Sequence, residues 1–484
     1  MSFETPSWVH DAVFYQIFPD RFARSGRVAE QQGLALKPWG APPEEQGFQG
    51  GDLYGVVDRL DYIEALGVTA LYLNPIFASA ANHRYHTYDY YRVDPLLGGN
   101  DALRALLDAA HARDIRVVLD GVFNHASRGF WAFHHILENG RTSPYLDWFI
   151  IHDWPLRPYA PDPETPHNYD AWYDIPALPE FNTDNPEVQD FLLDVAQHWI
   201  DFGIDGWRLD VPNEIDDDAF WRTFRERVKT ANPEAYIVGE IWGHAGHWLQ
   251  GDQFDAVMNY PLMDAILSYA ARSMRDFSHD QLPLETAAAP ATAARFEALM
   301  HRYDPAVTHA QLNLIDSHDT PRARWLLDDD PAAQRLAVLL QMTLPGAPCI
   351  YYGDEIGLSA AGDPHCRGAF PWDAPEHWDD ALLDFYKSAT ALRHEYPALR
   401  TGTFEGVAAT GDLLVFRRTL DDEAVLCAFN AGEEPMALPD DVAPERAALT
   451  PVGPFASEDA RRAADVVPPR SAHIYAPVSA AVYS

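Results

Sequence analysis

Cysteines and long apolar runs are both scarce in this chain. Of its 484 residues only Cys349, Cys366 and Cys427 are cysteines, far apart and without a Cys-x-x-Cys spacing. This usage argues against a disulfide framework and for reduced thiols. No apolar run approaches the length of a membrane span, and the first residues lack the basic segment and apolar core of a secretion signal. We therefore expect a cytoplasmic protein without a membrane partner.

Basic residues are also few, because 35 lysines and arginines stand against 73 aspartates and glutamates and leave a net charge of −38. A field of that sign repels nucleic acids and anionic membranes, and it favours a neutral substrate over a phosphorylated one. Most of the excess charge is expected to serve solubility. The acidic runs at 216–218 and 328–330 precede helical patterns and are interpreted as helix N-terminal caps rather than metal sites.

The sequence does contain a regular alternation of short apolar runs and amphipathic segments, the pattern of a parallel α/β fold. Eight runs are predicted as strands, the number that closes a (β/α)8 barrel. The predicted strands cover residues 13–18, 70–74, 116–120, 206–210, 237–240, 255–259, 311–315 and 349–352. The clearest predicted helices cover residues 52–66, 101–113, 186–202, 217–230 and 331–342.

Two stretches interrupt this alternation. Residues 126–185 are rich in Pro, His, Trp and Tyr and are too long for an ordinary barrel loop, so they are predicted to form an inserted domain B. After residue 396 the helical patterns stop and short strand patterns follow. The predicted architecture is α/β: a TIM barrel (domain A, residues 1–125 and 186–396), domain B, and a C-terminal all-β sandwich domain at 397–484.

Three carboxylates stand out because each follows a short apolar run. Asp210 and Glu240 end two such runs, and Asp319 lies just past a third. The carboxyl ends of barrel strands form the catalytic face of a TIM barrel, so these acids are expected to share one pocket. Two carboxylates that flank a sugar linkage can hydrolyse it, and a third can stabilise the positive charge on the ring. The three acids therefore predict a glycosidase.

Polar neighbours strengthen this interpretation. Arg208 lies two residues before Asp210, hence on the same side of its strand, where it is expected to keep the nucleophile ionised. Asp120 and His125 reach the same face from the end of the third strand, and His318 is expected to donate to sugar hydroxyls. Taken alone, each feature has a structural explanation, such as an ion pair or a satisfied turn. Their positions at successive strand ends favour catalysis.

The segments around these residues resemble the α-amylase superfamily, family 13 of the glycoside hydrolases. The similar stretches are residues 11–22, 120–125, 206–214, 238–242 and 315–322. The resemblance extends from about residue 8 to the end of the chain. It implies that Asp210 is the nucleophile, Glu240 the general acid/base and Asp319 the stabiliser of the transition state.

The same resemblance implies a set of sugar contacts. The residues that it places at the scission point are Tyr85, His125, Arg208 and His318. Asp363 and Arg367 are implied as contacts for the next sugars. Carbohydrate sites use aromatic rings because sugar C–H faces pack on them, and Tyr85 and Trp242 are the aromatic residues expected to serve in this way.

Further details resemble the group of neopullulanases, cyclomaltodextrinases and maltogenic amylases. Residues 178–183 resemble that group's domain B signature, and residues 240–242 and 248–261 resemble its segment between the fifth and sixth strands. Most members carry an N-terminal β-domain that supports dimerisation, whereas here the barrel pattern begins near residue 11, so a monomer and a homodimer both stay open. Cyanobacterial debranching enzymes similar to this group also lack that domain, which keeps α-1,6 cleavage open.

No cofactor is expected to be required, and no metal ligand is assigned. Many α-amylases bind calcium through an Asn that matches Asn124 and a His at the position of Glu214. A Glu can ligate calcium through oxygen, but neopullulanase-like members often lack this site, so calcium stays open.

The expected activity is retaining hydrolysis of α-1,4 bonds, and also of α-1,6 bonds, in maltooligosaccharides, cyclodextrins or pullulan. The alternative is a transglycosylase, a glucanotransferase or a debranching enzyme on the same scaffold, because water and a sugar hydroxyl attack the same carbon. A non-catalytic relative is disfavoured because all three carboxylates and His318 are present.

Overall fold

Eight short parallel strands form the centre of the molecule. The computed structural model describes residues 3–159, 164–440, 442, 449–456 and 465–477. The strands are β1 (Phe14–Ile17), β2 (Ala70–Leu73), β3 (Arg116–Gly121), β4 (Gly206–Leu209), β5 (Tyr236–Gly239), β6 (Ala256–Val257), β7 (Leu312–Asn313) and β8 (Ala347–Tyr351). Their spatial order is β6-β5-β4-β3-β2-β1-β8-β7, and a parallel bridge from Met258 to Leu312 joins the two outer strands. The predicted TIM barrel is confirmed.

The strands are apolar on both faces because helices cover the outside of the barrel while side chains fill its inside. In β2, for example, all four residues are buried. The covering helices are Leu53–Val57, Leu60–Ala65, Gly99–His111, Pro186–Phe202, Asp218–Ala231, Tyr260–Ala270, Ala289–Met300, Pro305–Ala310, Pro331–Thr343 and Asp380–Glu395. Shorter helices lie at Ser7–Asp11, Pro19–Phe22, Ala323–Leu326 and Pro397–Thr401. No helix in the described part of the chain is long and apolar enough to cross a membrane.

The predicted helices are present, with one difference. The stretch predicted as one helix at 52–66 is two helices that meet at Asp58 and Arg59, where the backbone of Arg59 leaves the helical region. The acidic runs act as caps, as predicted: Asp217 accepts from Ala219 N and Phe220 N, and Asp330 accepts from Ala332 N. Such caps satisfy amide groups that a helix leaves without partners at its start.

The segment predicted as domain B lies between β3 and the helix Pro186–Phe202. Its described residues contain the α-helix Trp131–Asn139 and the short 3-10 helices Gly140–Thr142, Leu146–Trp148 and Trp172–Asp174, joined by isolated bridges such as those between Phe149 and Phe181 and between Ala171 and Pro179. A hairpin of Phe77–Ser79 and Thr87–Val93 precedes it and is paired in antiparallel fashion. The exact boundaries of the domain stay a prediction.

The C-terminal region is an antiparallel sheet. Its strands are β9 (Thr403–Thr410), β10 (Leu413–Leu420), β11 (Glu423–Asn430), β12 (Thr450–Val452) and β13 (Ser471–Ala476), in the order β9-β10-β11-β13-β12. A second, two-stranded sheet pairs Met436–Ala437 with Val466–Val467. Alternate residues of β10 divide between two cores: Val415 packs with Val467, whereas Phe416 belongs to the core shared with the barrel.

Two buried arginines join the amino-terminal end of the barrel to this sheet. Arg393, in the helix Asp380–Glu395, donates to five backbone carbonyl oxygens, among them that of Gly346 just before β8. Arg418 of β10 donates to four more, including those of Thr343 and Leu399. Neither guanidinium is exposed, so each holds together loop ends that would otherwise leave buried carbonyls unsatisfied.

Candidate active site

Two of the predicted catalytic acids meet at a single guanidinium. Asp210 directly follows β4 and Glu240 directly follows β5, so both stand at the carboxyl ends of adjacent strands. Arg208 Nη1 lies 2.9 Å from Asp210 Oδ1, and Arg208 Nη2 lies 3.0 Å from Glu240 Oε2. Two carboxyl groups at the two ends of one guanidinium are close neighbours, as the pair of a retaining glycosidase must be at roughly 5–5.5 Å.

Arg208 also binds a third acid. Its Nη1 donates to Asp120 Oδ1 at 2.9 Å, and its side chain is fully buried. Burial opposes the charge of this guanidinium, but Asp120 and Glu240 outweigh it and raise the pKa of Arg208 well above its ordinary value. The expected pairing of Arg208 with Asp210 is present, although Arg208 divides its charge among three carboxylates rather than serving one.

The crowding of acids has a consequence for their protonation. Burial raises the pKa of Asp210 well above its ordinary value, Arg208 counteracts this, and Glu240 and Asp120 add to the rise. Burial and the charge of Glu240 likewise raise the pKa of Asp319 to about 7. Because the guanidinium of Arg208, even with that of Arg367 beside Asp319, does not balance all of these carboxylates, the free site retains a proton to near-neutral pH. The ionised nucleophile expected from the Arg208 pairing alone is therefore opposed by its other neighbours.

A strained backbone residue holds Glu240. Val211 has φ 36° and ψ 51°, a left-handed conformation that is rare for a β-branched residue and costs about 1–3 kcal/mol. In that conformation its N–H donates to Glu240 Oε2 at 3.0 Å. The sequence carries no signal for this contact, because the donor is a main-chain group of an ordinary apolar residue.

Trp242 contacts the same acid through its edge. Its Nε1 donates to Glu240 Oε1 at 3.1 Å. The indole is stacked 3.9 Å from the ring of Tyr260 and 4.0 Å from that of His279, at interplanar angles of 7° and 20°. Two rings stacked that closely on one indole occupy its opposite faces. Trp242 therefore orients Glu240, and the predicted stacking of a sugar on it requires His279 to move away.

Tyr85, Asp120 and His318 meet beside the acids, as the resemblance implies. The rings of Tyr85 and His318 are stacked at 5.5 Å and 3°. The Tyr85 hydroxyl donates to Asp120 Oδ2 at 2.8 Å and lies 2.5 Å from His318 Nε2. His318 Nε2 is also 3.1 Å from Asp319 Oδ2, which connects this group to the third acid.

His125, four residues past the end of β3, has open hydrogen-bonding capacity. Its ring is buried, and neither ring nitrogen has a partner among the described residues. Burial lowers the pKa of His125 to about 3, so the ring is neutral and offers one donor and one acceptor. It is stacked on Trp172 at 5.2 Å, and Trp172 Nε1 likewise lacks a partner within the described chain. Buried polar groups without partners mark where a ligand hydroxyl fits, so Trp172 joins the candidate site.

Asp363 and Arg367 border the third acid. Arg367 Nη1 is 2.9 Å from Asp363 Oδ1, and its Nη2 is 3.3 Å from Asp319 Oδ1. Arg367 Nε also donates to the carbonyl oxygen of His318 at 3.0 Å. Of this pair Asp363 is the more exposed, which leaves its carboxylate open to solvent or to a sugar.

The donors at the possible calcium position do not form a cage. Asn124 Nδ2 lies 3.5 Å from Glu180 Oε1, so the amide presents its donor rather than its acceptor to that acid. Glu214 instead accepts from Asn213. Within the described ranges no three His, Cys, Asp or Glu side chains are placed to hold a metal ion. These residues as arranged do not fit a calcium ion.

Buried carboxylates at the strand ends of a TIM barrel, close to one guanidinium and to unsatisfied polar groups, define a glycoside hydrolase site. Comparison with known families agrees. The model of the α-amylase catalytic domain matches residues 16–377. The chain belongs to the α-amylase family of glycoside hydrolases.

Individual relatives cover most of the chain. A cyclomaltodextrinase from Geobacillus thermopakistaniensis is 44% identical over 90% of this chain and 71% of its own length. Neopullulanase 2 from Thermoactinomyces vulgaris is 44% identical over 90% of this chain and 72% of its own. The crystal structure of a debranching enzyme from Nostoc punctiforme is 44% identical with a TM-score of 0.88, covering 98% of this chain and all of that one. The group recognised from the sequence is therefore confirmed.

Proposed function

We propose that this protein is a retaining α-glucan hydrolase that cleaves α-1,4 bonds, and also α-1,6 bonds, in maltooligosaccharides, cyclodextrins or pullulan. The observation that carries the proposal is the pairing of Asp210 and Glu240 with the two ends of Arg208, at 2.9 and 3.0 Å. This arrangement supports double displacement, because the retaining mechanism needs a nucleophile and an acid close together.

In the first step, Asp210 attacks the anomeric carbon while Glu240 protonates the departing glycosidic oxygen. The products are a covalent glycosyl ester on Asp210 and an ionised Glu240. In the second step, Glu240 takes a proton from water, the resulting hydroxide attacks the same carbon, and the Asp210 ester breaks. Asp319 stabilises the positive charge that develops on the ring in both steps.

The electrostatics of the site support the availability of a proton for the first step. The carboxylates around Arg208 hold a proton to near-neutral pH, since burial and mutual repulsion raise the pKa values of Asp210 and Asp319. A sugar that enters the pocket removes water and places its glycosidic oxygen near Glu240. We propose that the retained proton then resides on Glu240, while Arg208 stabilises the ionised Asp210.

The choice of α-glucans is supported by the relatives. One is named a cyclomaltodextrinase and another a neopullulanase, and the Nostoc protein is named a debranching enzyme. These names include cyclic, linear and branched substrates, so preference among them is part of the proposal. The cytoplasmic location, the monomeric or homodimeric state and the lack of a required cofactor stay predictions from the sequence.

The test follows products over time. Maltotriose, a cyclodextrin, pullulan and starch are supplied separately, and proton NMR records the first reducing end formed. We expect the α-anomer from each cleaved substrate, followed by mutarotation, and glucose or maltose as end products. Initial release of the β-anomer contradicts the retaining mechanism. Elongated or cyclised products in place of net hydrolysis would favour the glucanotransferase alternative.

A further inference from the structure

Four side chains form a closed ring of hydrogen bonds behind the sugar pocket. Gln16 Nε2 lies 2.9 Å from His318 Nδ1 and donates to Asn74 Oδ1 at 3.1 Å. Asn74 Nδ2 donates to the Tyr85 hydroxyl at 3.2 Å, and that hydroxyl is 2.5 Å from His318 Nε2. Gln16 lies in β1 and Asn74 directly follows β2, so two neighbouring barrel strands hold the ring in place.

The direction of each hydrogen bond follows from Asp120. Its Oδ1 accepts from Arg208, and its Oδ2 accepts from the hydroxyls of Tyr72 and Tyr85, both at 2.8 Å. The single hydroxyl proton of Tyr85 is thus committed to Asp120. The Tyr85 oxygen must then accept from both of its other neighbours, Asn74 and His318.

This commitment assigns the amides and the histidine together. Because Tyr85 accepts from Asn74, the Asn74 side chain directs its nitrogen to Tyr85 and its oxygen to Gln16. Gln16 in turn must present its nitrogen, whose two hydrogens go to Asn74 and to His318 Nδ1. The reversed orientation of both amides would place the Asn74 oxygen against a Tyr85 oxygen that has no proton left to give.

We propose that Gln16, supported by Asn74, is a positioning residue that keeps His318 neutral with its proton on Nε2. That proton faces two acceptors, the Tyr85 oxygen and Asp319 Oδ2, 3.1 Å away. The other tautomer would turn a lone pair toward both oxygens. The side-chain amide of Gln16 on β1 thus controls, through His318, the hydrogen bond to Asp319, the stabiliser of the transition state.

Burial makes this control necessary. Gln16 and Asn74 are each 1% exposed and His318 is not exposed at all, so water does not select the tautomer. Gln16 is the one polar side chain of β1, Phe14–Ile17, apart from the hydroxyl of Tyr15. A buried amide in an apolar strand costs stability unless it is fully hydrogen-bonded. The two hydrogen bonds that Gln16 forms through Nε2, with Asn74 and with His318, account for its presence in this strand.

The tautomer can be read without activity, which separates this inference from the proposed function. Protein labelled with ¹⁵N-histidine is examined by NMR, and the His318 signals are assigned by their loss in His318→Gln. We expect a protonated Nε2 and an unprotonated Nδ1 across neutral pH. A His318 that carries its proton on Nδ1, or that is doubly protonated at neutral pH, would overturn the inference.

Two substitutions then test the link to chemistry. Gln16→Glu places an acceptor against Nδ1, so His318 should gain a proton there. We expect kcat on maltotriose to fall about 10- to 100-fold, the range found when the group that orients a metal-ligating histidine is lost. KM should change less than kcat, because Gln16 is not itself a predicted sugar contact and the hydrogen bond that changes lies at Asp319, the stabiliser of the transition state. Gln16→Leu removes the donor without adding an acceptor and should show mixed tautomers with a smaller loss of kcat.

The matched control is Gln341→Leu. Gln341 is also fully buried and also donates two hydrogen bonds through Nε2, to the carbonyl oxygens of Asn313 and Cys349, away from His318. It should lower the melting temperature while the tautomer and kcat stay as in the parent. Equal kcat losses in Gln341→Leu and Gln16→Leu with an unchanged tautomer would reduce Gln16 to a structural role. If the parent hydrolyses no glucan, the proposed function fails while the NMR result stands.

Discussion

The two ends of the barrel use buried arginines in opposite ways. At the carboxyl ends of the strands, Arg208 is in contact with Asp120, Asp210 and Glu240. At the amino-terminal end, Arg393 and Arg418 contact backbone carbonyl oxygens and, among the described residues, form no ion pair with a carboxylate. The same side chain therefore meets full negative charges at one end and only dipoles at the other.

The difference appears in the proton affinities. The carboxylates raise the pKa of Arg208, whereas burial and the nearby Arg418 lower the pKa of Arg393 to about 9, and burial lowers that of Arg418 to about 9. Dipoles satisfy the hydrogens of a guanidinium without balancing its charge. The amino-terminal arginines therefore maintain the fold at an electrostatic cost, while Arg208 balances acids whose charges serve the reaction.

The largest effect should come from the acid at the carboxyl end. Glu240→Gln keeps the shape and the acceptor for Val211 N but cannot deliver a proton, so kcat on maltotriose should fall about 10²–10⁴-fold. An α-glycosyl fluoride has a leaving group that needs no acid, so its glycosylation step should lose far less. Because Glu240 is also the base of the second step, the glycosylation step is compared through kcat/KM on both substrates. Equal losses of kcat/KM on the two would assign the acid role to another residue.

The sequence predicted much of this arrangement because its signals are local. Each buried strand is a short apolar run bounded by turns, and the acids directly follow such runs, so Asp210 and Glu240 could be placed on one face from periodicity and fold rules alone. Asp319 could be placed on that face by the same rule, although it lies farther past its strand, in the loop after β7. Residues 52–66 are predicted as one helix because the pattern of apolar residues continues across the break at Arg59.

The contacts that sequence reasoning missed depend on three-dimensional proximity. The N–H of Val211 reaches Glu240 only because of a left-handed backbone. The faces of Trp242 are covered by Tyr260 and His279, which come from later segments of the chain. Gln16 did leave a signal, a lone amide inside an apolar strand, but its partners, Asn74 just after β2 and His318 in the loop after β7, are distant in sequence.

The second-largest effect is expected from substituting one buried arginine at each end of the barrel. Arg393→Met leaves several buried carbonyls without donors and should destabilise the fold by about 3 kcal/mol or more, with kcat at 25 °C near that of the parent. Arg208→Met should abolish most activity, and its loss of stability should shrink at acid pH, because the acids can then protonate once their counter-charge is gone. Chemical denaturation at pH 5 and pH 8, alongside kcat, checks both.

An Arg393→Met variant that loses kcat as severely as Arg208→Met would break the separation between the two ends. Arg222→Met is a suitable control for the loss of a guanidinium, because Arg222 is half exposed and pairs with Asp218 and Asp252 at the surface. Surface ion pairs contribute little, so its free energy of unfolding should change by less than about 1 kcal/mol.

The smallest expected effect concerns how much the buried acids destabilise the folded protein. The pKa of Asp319 is raised to about 7 in the folded protein, by burial first and by Glu240 second, against an ordinary value of 3.8. Between these values the unfolded chain loses its proton while the folded site retains it. The stability that this group contributes is therefore fully present below pH 3.8 and is lost as the pH rises to about 7.

Asp319→Asn removes that titration. The variant should lose activity, yet at pH 8 it should be more stable than the parent by about 1–3 kcal/mol, with the gain shrinking toward pH 4. Urea unfolding of both proteins across this range measures the difference. His318→Gln leaves the carboxylate in place and should show the opposite trend: burial lowers the pKa of His318 well below its ordinary value, so this variant gains stability relative to the parent as the pH falls. If Asp319→Asn were less stable than the parent at pH 8, the contacts of Asp319 with His318 and Arg367 would outweigh the destabilisation caused by its burial. The destabilisation at the catalytic end would then have to come from Asp210 and Glu240.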